Sequence, residues 1–325
     1  MYKVGLIGAG RISERHIEAM KTINQFKPVA ISDINLKKAQ QLGQKHGISA
    51  YESFKEMLIK EKLDVVVIAL PHYLHMEVAI WSANNGCHIL LEKPMAFNME
   101  EAQKIKDAVT DNRVSLMVCY TQHYIPENIK AKQLIKEGKI GDLVLVNNKR
   151  YLNYFAGNRP EWFFYKEKAG GGIVMNLGSH SVDQIQWITN SSMTNVKASL
   201  SYNYEKGDVE SSGLIYLETN KGFPVTISLS GLTNIPINET EFIGTKGSII
   251  VSVNKGLFIS NNDVYEKIDN IDKTKPFILQ YFDFLDLLEE KKSTLKHIDY
   301  SETVVKTIDA IYKSDTEEKE IQIYK

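Results

Sequence analysis

The chain of 325 residues has room for two domains of ordinary size, and its 43% hydrophobic and 24% charged residues are those of a globular protein. Its 39 basic and 40 acidic side chains leave a formal charge of -1, which argues against nucleic acid or an anionic membrane as a partner. No apolar run approaches the ~18 residues of a membrane span, and Cys87 and Cys119 stand far apart, outside any metal-ligand spacing.

Met1-Tyr2-Lys3 leads straight into a strand, so no signal peptide is expected and the expected location is the cytoplasm. Strands are predicted over 4–7, 28–32, 64–70, 88–91 and 114–119, the longest apolar run being Val65-Val66-Val67-Ile68-Ala69-Leu70. Helical patterns over 12–23, 36–46, 54–60, 77–85 and 99–109 alternate with them. Regular alternation with nearly continuous apolar strands predicts a doubly wound parallel sheet covered on both faces. The domain is expected to span residues 1–120.

Residues 121–325 read differently. A helix over 127–137 leads through Gly138 and Gly141 into a strand over 143–148, and a second helix is expected from about 172 to 188. Alternating strands follow over 196–204, 212–218, 224–230, 239–243 and 248–253, then helices over 277–289 and 301–313. The pattern predicts an α+β domain with a largely antiparallel sheet, one face of it open. An open apolar face predicts a homodimer or homotetramer.

Gly8-Ala9-Gly10-Arg11-Ile12-Ser13 follows the first strand and opens the first helix. This strand–turn–helix setting is that of a dinucleotide-binding loop, in which glycines permit a tight turn and let the backbone approach a pyrophosphate. Ser13 stands where a third glycine is usual, and is small enough to preserve the packing. Gly8, Gly10, Arg11 and Ile12 are therefore candidate cofactor contacts, with helix N–H groups facing the phosphate charge. Asp33, ending the second strand, is placed to bond a ribose 2′-hydroxyl and to repel a 2′-phosphate. NAD is expected in preference to NADP, although Lys37 and Lys38 could soften the discrimination.

Further segments bring a family into view: Ala69-Leu70-Pro71-His72-Tyr73-Leu74-His75, then Leu91-Glu92-Lys93-Pro94, then the run from Gly170-Gly171-Gly172 through Asn176, His180 and Asp183. In order and spacing the chain resembles the Gfo/Idh/MocA family of sugar and polyol oxidoreductases. The resemblance extends to Gly244-Thr245-Lys246-Gly247 and to the segment 308–312, which ends at Tyr312. It implies that Leu70, Pro71, His72, His75, Glu92 and Lys93 lie against the cofactor. Lys93 and His180 become the catalytic pair, Lys93 with a pKa lowered by burial and His180 titrating near neutrality. His16 also matches the family, in a structural capacity.

Asn176, His180 and Asp183, at i, i+4 and i+7, are expected on one face of a helix. Asn176 departs from the aspartate of many relatives: it can hydrogen-bond but cannot accept a proton. Gln122-His123-Tyr124 departs as well, lacking an arginine before the aromatic residue. Among Tyr151, Tyr154, Phe155, Arg159, Trp162, Phe163 and Phe164, we select Tyr154, Arg159 and Trp162 as candidate substrate contacts beside Asn176, since aromatic faces and a guanidinium suit a sugar. Packing is the competing reading of that loop. The expectation is an NAD-dependent dehydrogenase acting on a hydroxyl of a sugar, sugar derivative or cyclitol. The alternatives are an NADPH-dependent keto or imine reductase and a nicotinamide-binding regulator without turnover.

Overall fold

Apolar side chains gain by leaving water, and the apolar runs over residues 4–7 and 65–68 are buried throughout. The computed structural model describes residues 1–157, 159–253, 255–269, 271–272 and 274–323. In chain order the first elements are β1 (Tyr2–Ile7), α1 (Arg11–Met20), β2 (Phe26–Ser32), α2 (Leu36–His46), β3 (Ser49–Tyr51) and α3 (Phe54–Glu61). Then come β4 (Val65–Ile68), α4 (His75–Asn84), β5 (His88–Leu91), α5 (Met99–Asp111) and β6 (Leu116–Val118). The six strands form one parallel sheet in the order β3-β2-β1-β4-β5-β6. All four residues of β4 are fully buried, as a central parallel strand requires.

The second part contains α6 (Pro126–Lys136), β7 (Leu143–Asn153), the short α7 (Lys166–Ala169), a π-turn (Val174–Gly178) and α8 (Ser179–Thr189). Seven strands follow: β8 (Met193–Ser201), β9 (Ser212–Thr219), β10 (Pro224–Ser230), β11 (Leu232–Gly244), β12 (Gly247–Ser252), β13 (Gly256–Asn261) and β14 (Val264–Lys267). Helices α9 (Pro276–Leu288) and α10 (Thr294–Thr316) precede a last short strand, β15 (Ile321–Gln322). The nine-stranded sheet runs β14-β13-β12-β11-β7-β10-β9-β8-β15, antiparallel except where β10 lies parallel to β7. Along β9, Ile215 and Leu217 are fully buried while Leu214 is 63% and Tyr216 43% exposed, the alternation of a sheet with one free face.

The chain divides into two compact units, Met1–Thr121 with Thr274–Glu302, and Gln122–Lys273 with Thr303–Lys325. Residues 274–302, read from sequence as part of the second domain, thus belong with the first. The cause is apolar burial: Tyr281, Phe284, Leu285, Leu287 and Leu288 of α9 join the core formed by Ile17, Met20 and Phe26. Phe26 stacks on Phe284, with ring centroids 6.1 Å apart and planes within 6°. The helix expected from residue 172 instead begins with the five-residue π-turn, and only from Ser179 is it α-helical. Among the described residues no helix is long and apolar enough to cross a membrane.

Candidate active site

The glycine loop of the first unit is built by close contacts that exclude side chains at one position and leave them room at another. Gly8 has φ +104°, and a Cβ added there would stand 2.3 Å from the Ala69 carbonyl oxygen. Gly8 N–H donates to Ser32 O at 2.7 Å, and Ser13, fully buried, donates its hydroxyl to Gly8 O at 2.7 Å. Serine at the third glycine position therefore closes the loop. Gly10 begins α1 without a side-chain cap, and nothing lies within 4 Å of a Cβ built on it. Arg11 is exposed and Ile12 half-buried. Uncapped first-turn N–H groups beside open space are able to receive an anion.

Asp33 fastens this loop to the end of β2. Its Oδ2 accepts from Ala9 N–H and its Oδ1 from Asn35 N–H, both at 2.8 Å. Each carboxylate oxygen retains a further lone pair, so the same group can serve a ribose. The Asp33 acceptor, the open face of Gly10 and the tight turn at Gly8 fit a dinucleotide.

Leu70 and Pro71, both half-exposed, follow β4 in a turn that leads through His72 to α4. His72 is 5% exposed. His75 departs from its expected place against a cofactor. Its ring is fully buried, with Nδ1 2.8 Å from Pro94 O and Nε2 3.0 Å from Leu70 O. It lies between the turn after β4 and the turn after β5; burial lowers its pKa, and the neutral ring donates its one N–H to one of the two carbonyls.

Glu92 and Lys93 follow β5, both half-buried, and the Lys93–Pro94 peptide is cis. Glu92 turns its carboxylate inward: Oε1 lies 3.0 Å from His16 Nε2, and His16 Nδ1 lies 3.0 Å from the Tyr281 hydroxyl. This buried chain, rooted in α1 and α9, holds the turn from which Lys93 projects. Among the described residues, His16, Glu92 and Cys119 alone bring three ligand-type atoms within 4.8 Å of one another. Cys119 Sγ accepts from Gln280 Nε2 at 3.4 Å.

In the second unit, the structure gathers four predicted substrate residues. Asn176 Nδ2 donates to the Tyr154 hydroxyl at 3.3 Å, and that hydroxyl donates to Gly172 O at 3.4 Å. Arg159 Nε donates to Tyr154 O at 2.5 Å, with its guanidinium 3.9 Å from the Tyr154 ring centroid and 4.9 Å from that of Phe163. Trp162 stacks on Phe163 at 3.7 Å. Tyr154 is fully buried, so it supports Asn176 and Arg159 and offers a substrate no surface; burial pushes its pKa up to about 12. Arg159, Trp162 and His180 are half-buried and Asn176 is 8% exposed.

Asp183, fully buried one turn beyond His180 on α8, pairs with His123: Nε2 to Oδ1 is 2.7 Å. The His123 ring stacks on Trp187 at 4.8 Å. Buried Arg150 on β7 donates Nη2 to Gln122 Oε1 at 3.4 Å and to Gln184 Oε1 at 3.3 Å. Burial lowers its pKa to about 10. Sequence reasoning missed Glu210 and gave no role to Tyr312; both bond the backbone of the glycine-rich turn. A cleft of about 580 Å³ lined by residues including Lys132, Lys136, Thr189 and Lys221 contains none of the predicted site residues.

Residues 2–120 match the oxidoreductase family with an NAD-binding Rossmann fold, and residues 128–250 match the GFO/IDH/MocA C-terminal domain. The chain belongs to the GFO/IDH/MocA oxidoreductase family. It is 29% identical over 201 residues to the rhizopine catabolism protein MocA of Rhizobium meliloti, covering 62% of this chain and 61% of that protein. It is 30% identical over 230 residues to the levoglucosan dehydrogenase of Pseudarthrobacter phenanthrenivorans, covering 67% of this chain and 59% of that one. The matches thus span about three-fifths of each of these two relatives. The crystal structure of the WlbA dehydrogenase from Bordetella pertussis, in complex with NADH and UDP-GlcNAcA, superposes with a TM-score of 0.87 at 25% identity, covering 100% of this chain and 99% of that one.

Proposed function

We propose that this member of the family is an NAD-dependent dehydrogenase acting on a hydroxyl-bearing carbon of a sugar, sugar derivative or cyclitol. The observation that carries the cofactor side is the bond from Ala9 N–H to Asp33: it sets a carboxylate beside an uncapped helix start. Gly8, Gly10, Arg11, Ile12 and Asp33 hold the dinucleotide, and Leu70, Pro71, His72 and Lys93 complete its surroundings. Asp33 disfavours a 2′-phosphate, which makes NAD the preferred form. A bound nicotinamide supplies the hydride acceptor or donor.

The remaining work belongs to side chains. Lys93 and His180 bind the substrate hydroxyl and exchange its proton, for which a group titrating near neutrality is suited. Asn176 hydrogen-bonds the sugar without taking its proton. Arg159 and Trp162 orient it through a guanidinium and an aromatic face. The levoglucosan dehydrogenase relative supports a sugar-like substrate.

We further propose a homodimer or homotetramer formed through the free sheet face at Leu214 and Tyr216, and a cytoplasmic location, consistent with two buried free cysteines. Light scattering showing a monomer at working concentration would remove the assembly. The deciding experiment for function is calorimetric titration with NADH and NADPH, followed by turnover assays on sugars and cyclitols. Tight NADH and weak NADPH binding is expected. A preference for NADPH would favour a reductase, and binding of neither would end the dehydrogenase reading.

A further inference from the structure

The turn that carries Asn176 and leads to His180 is fastened by two residues the proposed chemistry does not use. Glu210 is 1% exposed, and its Oε1 accepts from Gly172 N–H, from Val174 N–H and from the Tyr312 hydroxyl, each at 2.8 Å. The Tyr312 oxygen in turn accepts from Met175 N–H at 3.0 Å. Amides at a helix start have no carbonyl partner within the helix. Here one carboxylate and one phenol serve three of them.

The glycines are explained by the same contacts. A Cβ on Gly171 would stand 1.9 Å from the Tyr312 hydroxyl, and one on Gly172 would stand 2.2 Å from Glu210 O. The glycine run thus lies directly against Glu210 and Tyr312, the latter ending the 308–312 segment. Glu210 meets only neutral donors at these three bonds. Bonds to an ionised acceptor are about twice as strong as neutral ones, so Glu210, when ionised, holds these amides more firmly than an amide side chain would, although its burial opposes ionisation.

We propose that Glu210 and Tyr312 are positioning residues for the dehydrogenase reaction: they fix the Val174–Gly178 turn and thereby the direction in which Asn176 and His180 meet substrate. This rests on the reading of His180 as a proton-handling group. Met175 is the immediate neighbour of Asn176, so slack at its amide passes directly into the site, where a displacement of about 1 Å can cost ~100-fold in rate.

The test uses the full chain and two variants. Tyr312→Phe keeps the ring and removes both hydroxyl bonds; Glu210→Gln keeps the shape and removes the charge. Amide exchange over residues 172–176 and the His180 ring resonances, assigned by their loss in His180→Asn, are read first because neither needs turnover. In Tyr312→Phe we expect faster exchange at Met175, a shifted His180 ring signal and kcat lowered about tenfold or more, with the NADH dissociation constant unchanged. Glu210→Gln should move the same signals, and if it does not fold, Tyr312→Phe decides alone. Unchanged exchange and ring signals would overturn the anchor. Faster exchange with wild-type kcat and an unmoved pH profile would reduce it to a structural cap and overturn the positioning claim. If the wild type turns over nothing tried, the functional reading is what fails, and the His180 signal still decides whether the pair positions that side chain.

Discussion

Lys93 and Asp33 sit in the same unit and should fail in different ways when changed. Lys93→Ala removes the proposed proton-transfer group and no proposed phosphate contact, so NADH affinity by calorimetry should stay within a fewfold of wild type while kcat falls by about 10²–10⁴. Near-normal turnover would refute its role. Asp33→Ala removes both the proposed ribose acceptor and the tie to Ala9; NADH should weaken by about tenfold and NADPH much less. Glu210 gives a pH signature. Burial raises its pKa above the ordinary 4.5, against the lowering by the Gly172 amide and Tyr312, with Tyr154 and Tyr202 as further neighbouring groups. A carboxylate whose folded pKa exceeds its unfolded one favours folding most below 4.5 and loses that contribution as pH rises through the raised value. Melting temperatures of the wild type should therefore decline relative to those of Glu210→Gln as pH climbs from 4.5. Most of the candidate residues were legible because chemistry-bearing types followed strand ends at known spacing. The inward turn of His75 and Tyr154 was not, since burial is decided by packing that a local motif does not encode. Glu210 and Tyr312 meet the glycine turn only through the fold, one lying 38 and the other 137 residues away along the chain.

At the scale of elements, the glycine loop offers a paired test. Gly8→Ala forces a Cβ onto backbone at φ +104° and should abolish or severely destabilise the fold, while Gly10→Ala, at φ -77° with open space ahead, should melt near wild type. If the phosphates lie where proposed, Gly10→Ala should nonetheless weaken NADH by tenfold or more, read by calorimetry. Normal affinity would move the cofactor elsewhere. The central strands were visible as apolar runs because both faces are buried, and β9 and β10 because one face is. β3, β13, β14 and β15 escaped notice. Ser49-Ala50-Tyr51 is too short for a period to register, and Val264–Lys267, at the sheet edge, is exposed throughout. The π-turn has no sequence period of its own; it is specified by amides that find Glu210 and Tyr312.

For the molecule as a whole, α9 is the unexpected member. Sequence order placed it with its neighbours in the second half, whereas its apolar side chains belong with α1 and β2. Phe284→Ala, emptying a fully buried site there, should cost about 3–5 kcal/mol and lower the denaturant midpoint without changing the residues proposed to meet the cofactor. This discontinuous unit has a consequence for biosynthesis. A ribosome that has released residue 121 has delivered all six parallel strands but not the helix that seals them, and at roughly 5–20 residues per second the missing piece emerges roughly 10–35 seconds later. Through that interval the apolar flank of α1 and Phe26 stays wet on a tethered, unfinished nascent chain, which makes it the natural target for a chaperone that recognises bare hydrocarbon.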